Sequence, residues 1–209
     1  LVIYSFWTAE YIHIDKTFTL DNYKTFFDKS MYGDLLLRSI RMSITVTSIN
    51  ILLAYPVAYF LAFRVKKNIM TWLILINLPF WTSYLLRVLA WKIMLGNNGV
   101  INSTLLELSF IQAPLDFLLY SRFAVILTLV HAWAAFAILP IYLSLSKIDR
   151  SLLEASSDLG ESPIRTFFRV TLPLSAPGVI AAAVIQFIPT VGDYITPVMV
   201  GGPRGMMFG

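Results

Sequence analysis

"LLEASSDLGESPIRTFFRVTLP", residues 152–173, places a compact mixed-charge stretch between two long apolar runs. Ser151 and Glu154 stand at capping-box spacing, where the serine accepts from one amide and the glutamate reaches back to another. The spacing predicts a helix to about Leu159, ended by Gly160 in the left-handed conformation that glycine adopts without steric cost. Ser162 and Pro163 then read as the cap and first turn of a second helix. Ile164, Phe167 and Phe168 fall on one side of it, Val170 follows within a turn, and Pro173 marks the approach to the next apolar run. Lys147, Arg150, Arg165 and Arg169 are balanced by Asp149, Glu154, Asp158 and Glu161. A helix lying on lipid shows a basic excess. Balanced charge beside one apolar face suits a protein groove better.

Outward from this stretch the chain is greasy. It is 57% hydrophobic and 13% charged, with a mean hydropathy of +0.73, where soluble domains carry about 25% charge. Much of the surface is therefore expected to face lipid. No cysteine is present, which excludes disulfides and thiolate metal sites. His13 and His131 are far apart and form no ligand motif, so no metal and no cofactor is expected. The first residues read as the end of an apolar run already under way and the last as a break before something further, so a fragment cut at both ends is expected.

A spanning helix needs roughly 20 mostly apolar residues. Four runs qualify: span A at 42–63, span B at 69–91 with Arg87 inside it, span C at 123–145 and span D at 174–200. Four such runs argue against a soluble helix bundle. Pro56, Pro79, Pro140, Pro177 and Pro189 lie inside them. Each frees a backbone carbonyl that needs a partner in lipid, which favours a transporter or channel over a passive anchor.

Lys and Arg in short loops set orientation. Arg64, Lys66 and Lys67 between spans A and B, and the bases between C and D, put residues 64–68 and 146–173 in the cytoplasm. Residues 1–41, with more acids than lysines before Arg38, and the B–C connection are then external. Arg38 and Arg41 at the outer end of span A oppose the rule, and snorkelling to headgroups or meeting another subunit's acids would account for them. The net charge of +4 is thus a topology signal, and nucleic acid is not an expected partner. Thr19 or Asp21 reads as the cap of a short outer helix, and Asn102 or Ser103 as the cap of another. Asn102-Ser103-Thr104 also matches a glycosylation sequon, of a kind that arises often by chance.

Glu154-Ala155-Ser156, then Gly160 six residues after Glu154, Val170 ten after Gly160, and Leu172-Pro173 resemble the coupling loop of binding-protein-dependent ABC importer permeases. Ser156 stands where alanine is usual and Val170 where isoleucine is common. "LPFWTSYLLRVLAW" (78–91), "NNGVIN" (97–102) and "VGDYITPVMVGGPRGMMFG" (191–209) resemble the spermidine/putrescine branch of that family. The resemblance implies an all-α polytopic membrane protein with a type I importer (MetI-like) bundle. Residues 1–209 would be a partial transmembrane domain holding spans two to five of six, and 151–173 its cytoplasmic coupling loop. It implies location in the inner membrane. The partners would be ATP-binding cassette subunits, a second, paralogous permease subunit, an extracytoplasmic substrate-binding protein and membrane lipid. ATP hydrolysis would fall to the partners, since no phosphate-binding glycine loop with its lysine is present. Glu154, Ala155, Ser156, Gly160, Pro163, Val170, Leu172 and Pro173 would then form the ATPase-coupling element.

A polycation path needs acids or aromatic faces. The resemblance thereby singles out Asp193 and Tyr194, amid Pro189, Gly192 and Pro197, together with Trp81, Tyr84 and Trp133. Trp91 suits interface anchoring, and Arg87 is awkward for such a path unless an acid of the partner permease meets it. Another small solute, or a secondary transporter or scaffold without an ATPase, is the competing reading.

Overall fold

The computed structural model describes residues 2–10 and 13–208. A 3₁₀ turn (Val2–Phe6) leads into a two-stranded antiparallel hairpin, β1 (Thr8–Glu10) and β2 (His13–Asp15), in which Ala9 lies opposite Ile14. Everything else is helical. A short α1 (Asp21–Asp28) precedes α2 (Ser30–Phe63), then α3 (Ile69–Asn77), α4 (Tyr84–Leu95) and α5 (Val100–Glu107). The long α6 (Arg122–Leu145) follows, then α7 (Arg150–Asp158), α8 (Pro163–Thr166), α9 (Leu172–Val191) and α10 (Gly202–Gly205). The all-α expectation holds, with the hairpin the one extended piece among the described residues.

Spans A, C and D correspond to helices long and apolar enough to cross a bilayer: Ser30–Phe63, Arg122–Leu145 and Pro163–Val191. Span A begins at Ser30 rather than at 42, because Leu35, Leu36 and Ile40 continue the helical pattern through the charged residues between them. Span D begins at Pro163, so the second helix of the opening stretch runs directly into it. It ends at Val191, short of 200; Gly192–Asp193 breaks it before a π-helical turn, Pro197–Gly201.

Span B is not one continuous helix. Ile69–Trp81 and the helix pair from Tyr84 to Glu107 meet at a 78° bend. Pro79 cannot donate to the turn before it. The chain tightens to a 3₁₀ turn over Leu78–Trp81 and becomes extended at Thr82 and Ser83. Side chains serve the break: Asn77 Nδ2 donates to the Leu73 carbonyl at 2.8 Å, and Thr82 Oγ1 to that of Pro79 at 2.9 Å. A bend in apolar surroundings is tolerated when such local donors re-satisfy the backbone.

The other caps differ in detail from the sequence reading. At α1 the N-cap is Leu20 rather than Thr19 or Asp21, though the Thr19 hydroxyl just before it accepts from the Asp21 amide at 3.0 Å. The N-cap of α5 is Gly99, not Asn102 or Ser103. A Cβ at Gly99 would collide with the carbonyls of Ile93 and Met94, so only glycine permits this turn. Asn102 is instead fully buried, donating to the Gly96 carbonyl at 3.1 Å and accepting from the Leu115 amide at 2.8 Å. A side chain clamped between two loop segments is closed to glycosylation.

Helices α2, α6 and α9 form the packed centre. One apolar cluster gathers Met42, Val46, Ala124, Val125 and Leu129, with Val88 and Leu95 of α4. The other gathers Ala58, Leu61, Ile141, Leu145 and Ala182 at the end next to the 146–162 loop. Bulky residues such as Leu52, Phe60, Ile180 and Ile188 are exposed, the arrangement expected of a lipid-facing surface. Where α9 crosses α6, Gly178 lies against the Pro140 carbonyl and Ser144, and a Cβ there would overlap both.

Overpacking a closed contact costs about 1–3 kcal/mol. Gly178→Ala is expected to lower the thermal midpoint of the detergent-solubilised protein. Gly33→Ala, in α2 with no atom within 4 Å of the added Cβ, is expected to leave the midpoint unchanged or raise it, since alanine is the better helix former. Equal midpoints for the two variants would contradict the close contact.

Candidate functional site

Two sites emerge, one on the loop and one at the two helix breaks. On the loop, α7 is capped by Asp149, whose backbone is extended (φ −66°, ψ 126°) and whose carboxylate accepts from the Ser151 amide at 3.0 Å. The capping box at Ser151 and Glu154 is therefore replaced: Ser151 already lies inside the helix, and Asp149 is the residue with cap geometry. Acceptance from that backbone amide holds the Asp149 carboxyl below its ordinary range.

At the other end of α7, Gly160 has φ +81°. The Glu161 amide donates to the Ser156 carbonyl at 3.1 Å and the Gly160 amide to that of Ser157 at 2.9 Å. Those two bonds make a Schellman turn, which satisfies the carbonyls a helix end leaves open. Ser162 then caps α8, accepting from the Arg165 amide at 3.4 Å, and Pro163 opens its first turn.

Beneath the turn the Ser156 and Thr166 hydroxyls bond at 2.8 Å in a buried position, tying α7 to α8. Glu161 pairs with Arg169 and, at 3.8 Å, with Arg165. Glu154, Ala155, Pro163, Ile164 and Phe168 remain exposed, as does Leu159 at 85%.

Phe167 turns the other way. Its ring meets Tyr55 edge-on at 5.5 Å and Tyr59 at 6.3 Å, and the Tyr55 hydroxyl bonds that of Ser175 at 2.7 Å in the core. Residues 167–171, including Val170, form a single π turn in which the Leu172 amide donates to the Phe167 carbonyl. Pro173, which has no amide to donate, follows at once, so the wider turn sits where an ordinary α ladder would lack a donor. The loop is thus exposed on one side and anchored to α2 and α9 on the other.

The second site lies where span B bends and span D breaks. Asp193 is 8% exposed. Its Oδ1 accepts from the Ile195 amide at 3.0 Å and more weakly from Thr196 at 3.4 Å, which makes it the cap of the last helical segment. Its Oδ2 accepts from the Tyr84 hydroxyl. Since that proton goes to the carboxylate, the Thr196 hydroxyl, 2.6 Å away, donates to the Tyr84 oxygen, giving a relay of Thr196, Tyr84 and Asp193.

The Arg87 guanidinium lies 5.4 Å from the centre of the Phe80 ring and 5.9 Å from that of Tyr84, and donates to the Ala132 carbonyl at 3.0 Å. The Trp133 ring lies tilted beside that of Tyr84 at 6.3 Å, and Trp91 Nε1 donates to His131 Nδ1 at 3.1 Å. Asp193, Tyr84 and Trp133 are therefore brought together. Tyr194 and Trp81 are not: they are 61% and 78% exposed. A cation already occupies the Tyr84 face, and it belongs to the protein.

Sequence reasoning missed a polar stripe on α2. Ser39, Ser43, Thr47 and Asn50 recur every three or four residues and are all buried. Asn50 helps line a cavity of about 390 Å³ with Trp91 and His131. The Ser43 and Thr47 hydroxyls, both polar atoms of Asn50, the Thr128 hydroxyl and Gln186 Oε1 have no hydrogen-bond partner among the described residues. The helical spacing was the available signal. Among the described residues no group of three His, Cys, Asp or Glu could hold a metal ion, and the side chain of His13 lies outside the described residues.

Spanning helices, one of them broken, and a capped loop between α6 and α9 make this a polytopic membrane protein. The chain belongs to the family described as "Binding-protein-dependent transport system inner membrane component", which it matches over residues 33–209. It is 37% identical over 196 residues to the spermidine/putrescine transport system permease protein PotB of Escherichia coli (strain K12), covering 94% of this chain and 70% of that one. The Haemophilus influenzae PotB is 36% identical over 191 residues, covering 91% and 66%. The fold is similar to that in the crystal structure of a bacterial ABC transporter involved in import of the acidic polysaccharide alginate, with a TM-score of 0.61 and 19% identity over 91% of this chain and 68% of that one. The chain is accordingly a multi-pass inner-membrane permease subunit.

The Asp149 cap makes a pH prediction. A carboxyl held below its ordinary 3.8 contributes fully above that value and loses its contribution as pH falls through the lower folded value. In serine-labelled protein the Ser151 amide resonance is expected to titrate with a midpoint under 3.8, and Asp149→Asn to abolish the titration while keeping the helix. A midpoint at or above 3.8 would contradict the cap.

Proposed function

We propose that this permease subunit imports spermidine or putrescine and that residues 151–173 are its coupling loop. One observation carries the coupling role: a doubly capped helix pair, tied together by Ser156 and Thr166, whose outer face is exposed while Phe167 at its inner side packs against Tyr55 of α2. Glu154 and Ala155 present the docking surface of an ATPase subunit, and Gly160 and Pro163 set the angle between the helices. Ser156 holds the pair together through Thr166. Val170, Leu172 and Pro173 form the joint to α9. A displacement of the loop then tilts α6 and α9 together. The relatives named for spermidine and putrescine, 36–37% identical over 91–94% of this chain, support that cargo.

On this reading residues 1–209 are transmembrane domain, with loops 64–68 and 146–173 in the cytoplasm and residues before 42 mostly outside. The assembly would contain ATP-binding cassette subunits, a paralogous permease and an extracytoplasmic binding protein, and the chemistry of ATP would lie in the partners. Asp193 would offer the cargo ammonium a carboxylate at the helix break, with Tyr84 and Trp133 beside it.

A specific observation favours a second reading. Arg87 Nε and Trp133 Nε1 are buried donors without an acceptor among the described residues, an arrangement that suits an anionic solute or an acid of the partner permease. Binding of polyamines and of small anions to the companion binding protein discriminates the two.

In an assembled transporter Asp193→Asn keeps the capping oxygen and loses the charge. Polyamine uptake is expected to fall at least about tenfold, the scale of one lost charge-assisted contact, and unchanged affinity and rate would remove Asp193 from the path. Separately, Ala155→Cys is expected to form a disulfide with a cysteine in the ATPase groove of an active complex. No crosslink at any groove position would sink the docking role.

A further inference from the structure

The two arginines that run against the charge rule share a pocket. Arg38 and Arg41, one turn apart on α2, line a cavity of about 260 Å³ together with Asp34, Leu37, Met42 and Arg122, the first residue of α6. Among the described residues that line it, three arginines accompany one aspartate, so these four residues carry a net positive charge. No ion pair within 4.0 Å engages Arg38 or Arg41 among the described residues.

Depth decides what such a pocket meets. Phe63 and Leu145 lie at the loop end of the bundle, where both join the same apolar cluster. At 1.5 Å per residue, Arg41 stands roughly 33 Å and Arg38 roughly 38 Å above Phe63, and Arg122 roughly 35 Å above Leu145. The hydrocarbon core is about 30 Å thick, with headgroups extending the bilayer to about 40–45 Å. An average tilt of about 20° lowers each height by only about 2 Å. All three arginines therefore come level with the headgroups of the leaflet opposite the loop, while Arg64, Lys66 and Lys67 come level with those of the near leaflet. The planar forks of arginine match phosphate oxygens two at a time.

We propose that Arg38, Arg41 and Arg122 form a seat for a phospholipid headgroup of the far leaflet, holding its phosphodiester between α2 and α6. The seat pins the two helices at the end away from the loop. It also gives the contrary charges a partner that the positive-inside count leaves out.

The test uses the assembled transporter in nanodiscs of phosphatidylglycerol or of an uncharged glycolipid. Phenylglyoxal modification is read arginine by arginine by peptide mass mapping. Phosphatidylglycerol is expected to slow modification of Arg38 and Arg41 at least about fivefold relative to glycolipid, and equal rates overturn the proposal. Soluble glycerol phosphate added to the glycolipid discs is expected to protect weakly, and equal protection would make this a free-anion site instead. The Arg38→Gln/Arg41→Gln variant is expected to retain less phospholipid in native mass spectra, whereas Lys66→Gln/Lys67→Gln is expected to retain as much as the parent at this site. Crosslinking of Arg38→Cys to the partner permease, with no phospholipid dependence, would assign the pocket to a protein acid and overturn the lipid seat.

Discussion

The approach of α9 to α6 at Gly178 is the contact on which the rest of the bundle depends. Backbone meets backbone there, against the Pro140 carbonyl and beside Ser144. In lipid there is no water to drive helices together, so packing of this closeness supplies the cohesion. The geometry also joins two parts of the molecule. The loop leaves α6 a few residues beyond Ser144 and returns into α9 a few residues before Gly178. Whatever displaces the loop reaches both helices through a contact that cannot be compressed.

The interior of the bundle sets polar stripes beside its two apolar clusters. Along α9 the buried positions are Ser175, Gly178, Ala182, Gln186 and Thr190, and along α2 they include Ser39, Ser43, Thr47 and Asn50. Large apolar side chains on the same two helices, among them Leu52, Phe60, Ile180 and Ile188, face outward. Several of these inner polar atoms are satisfied locally, as when Thr190 Oγ1 donates to the Gln186 carbonyl at 2.7 Å. Those without a partner among the described residues are the Ser43 and Thr47 hydroxyls, both polar atoms of Asn50 and Gln186 Oε1.

Much of this was legible in the sequence, and the failures have physical reasons. Span C was placed within a residue of its start because no charged residue interrupts it. The start of α2 was missed because charged residues dilute hydropathy without interrupting a helix. Pro79 announces a kink but not its angle, which Thr82 and Ser83 set by turning extended. Asp149 and Ser151 are both good caps, and only backbone dihedrals separate them. The Gly160 turn was legible because few residues adopt its conformation. Asp193 and Tyr84 were each singled out, yet their bond joins residues 109 apart, and the placement of Arg87 over Phe80 and Tyr84 is a matter of helix packing that no local pattern encodes.

The π turn at 167–171 divides the long helix from Pro163 to Val191 into a short outer arm and a long inner one. Neither arm depends on an amide at Pro173. In engineering terms such a turn would act as a flexure rather than a hinge, with the Phe167 ring packed against Tyr55 to resist displacement. A push on the outer arm would therefore arrive at α9 as a change of slope. The stroke of the loop and the tilt of the span would be proportional, and the helix would not need to melt between them.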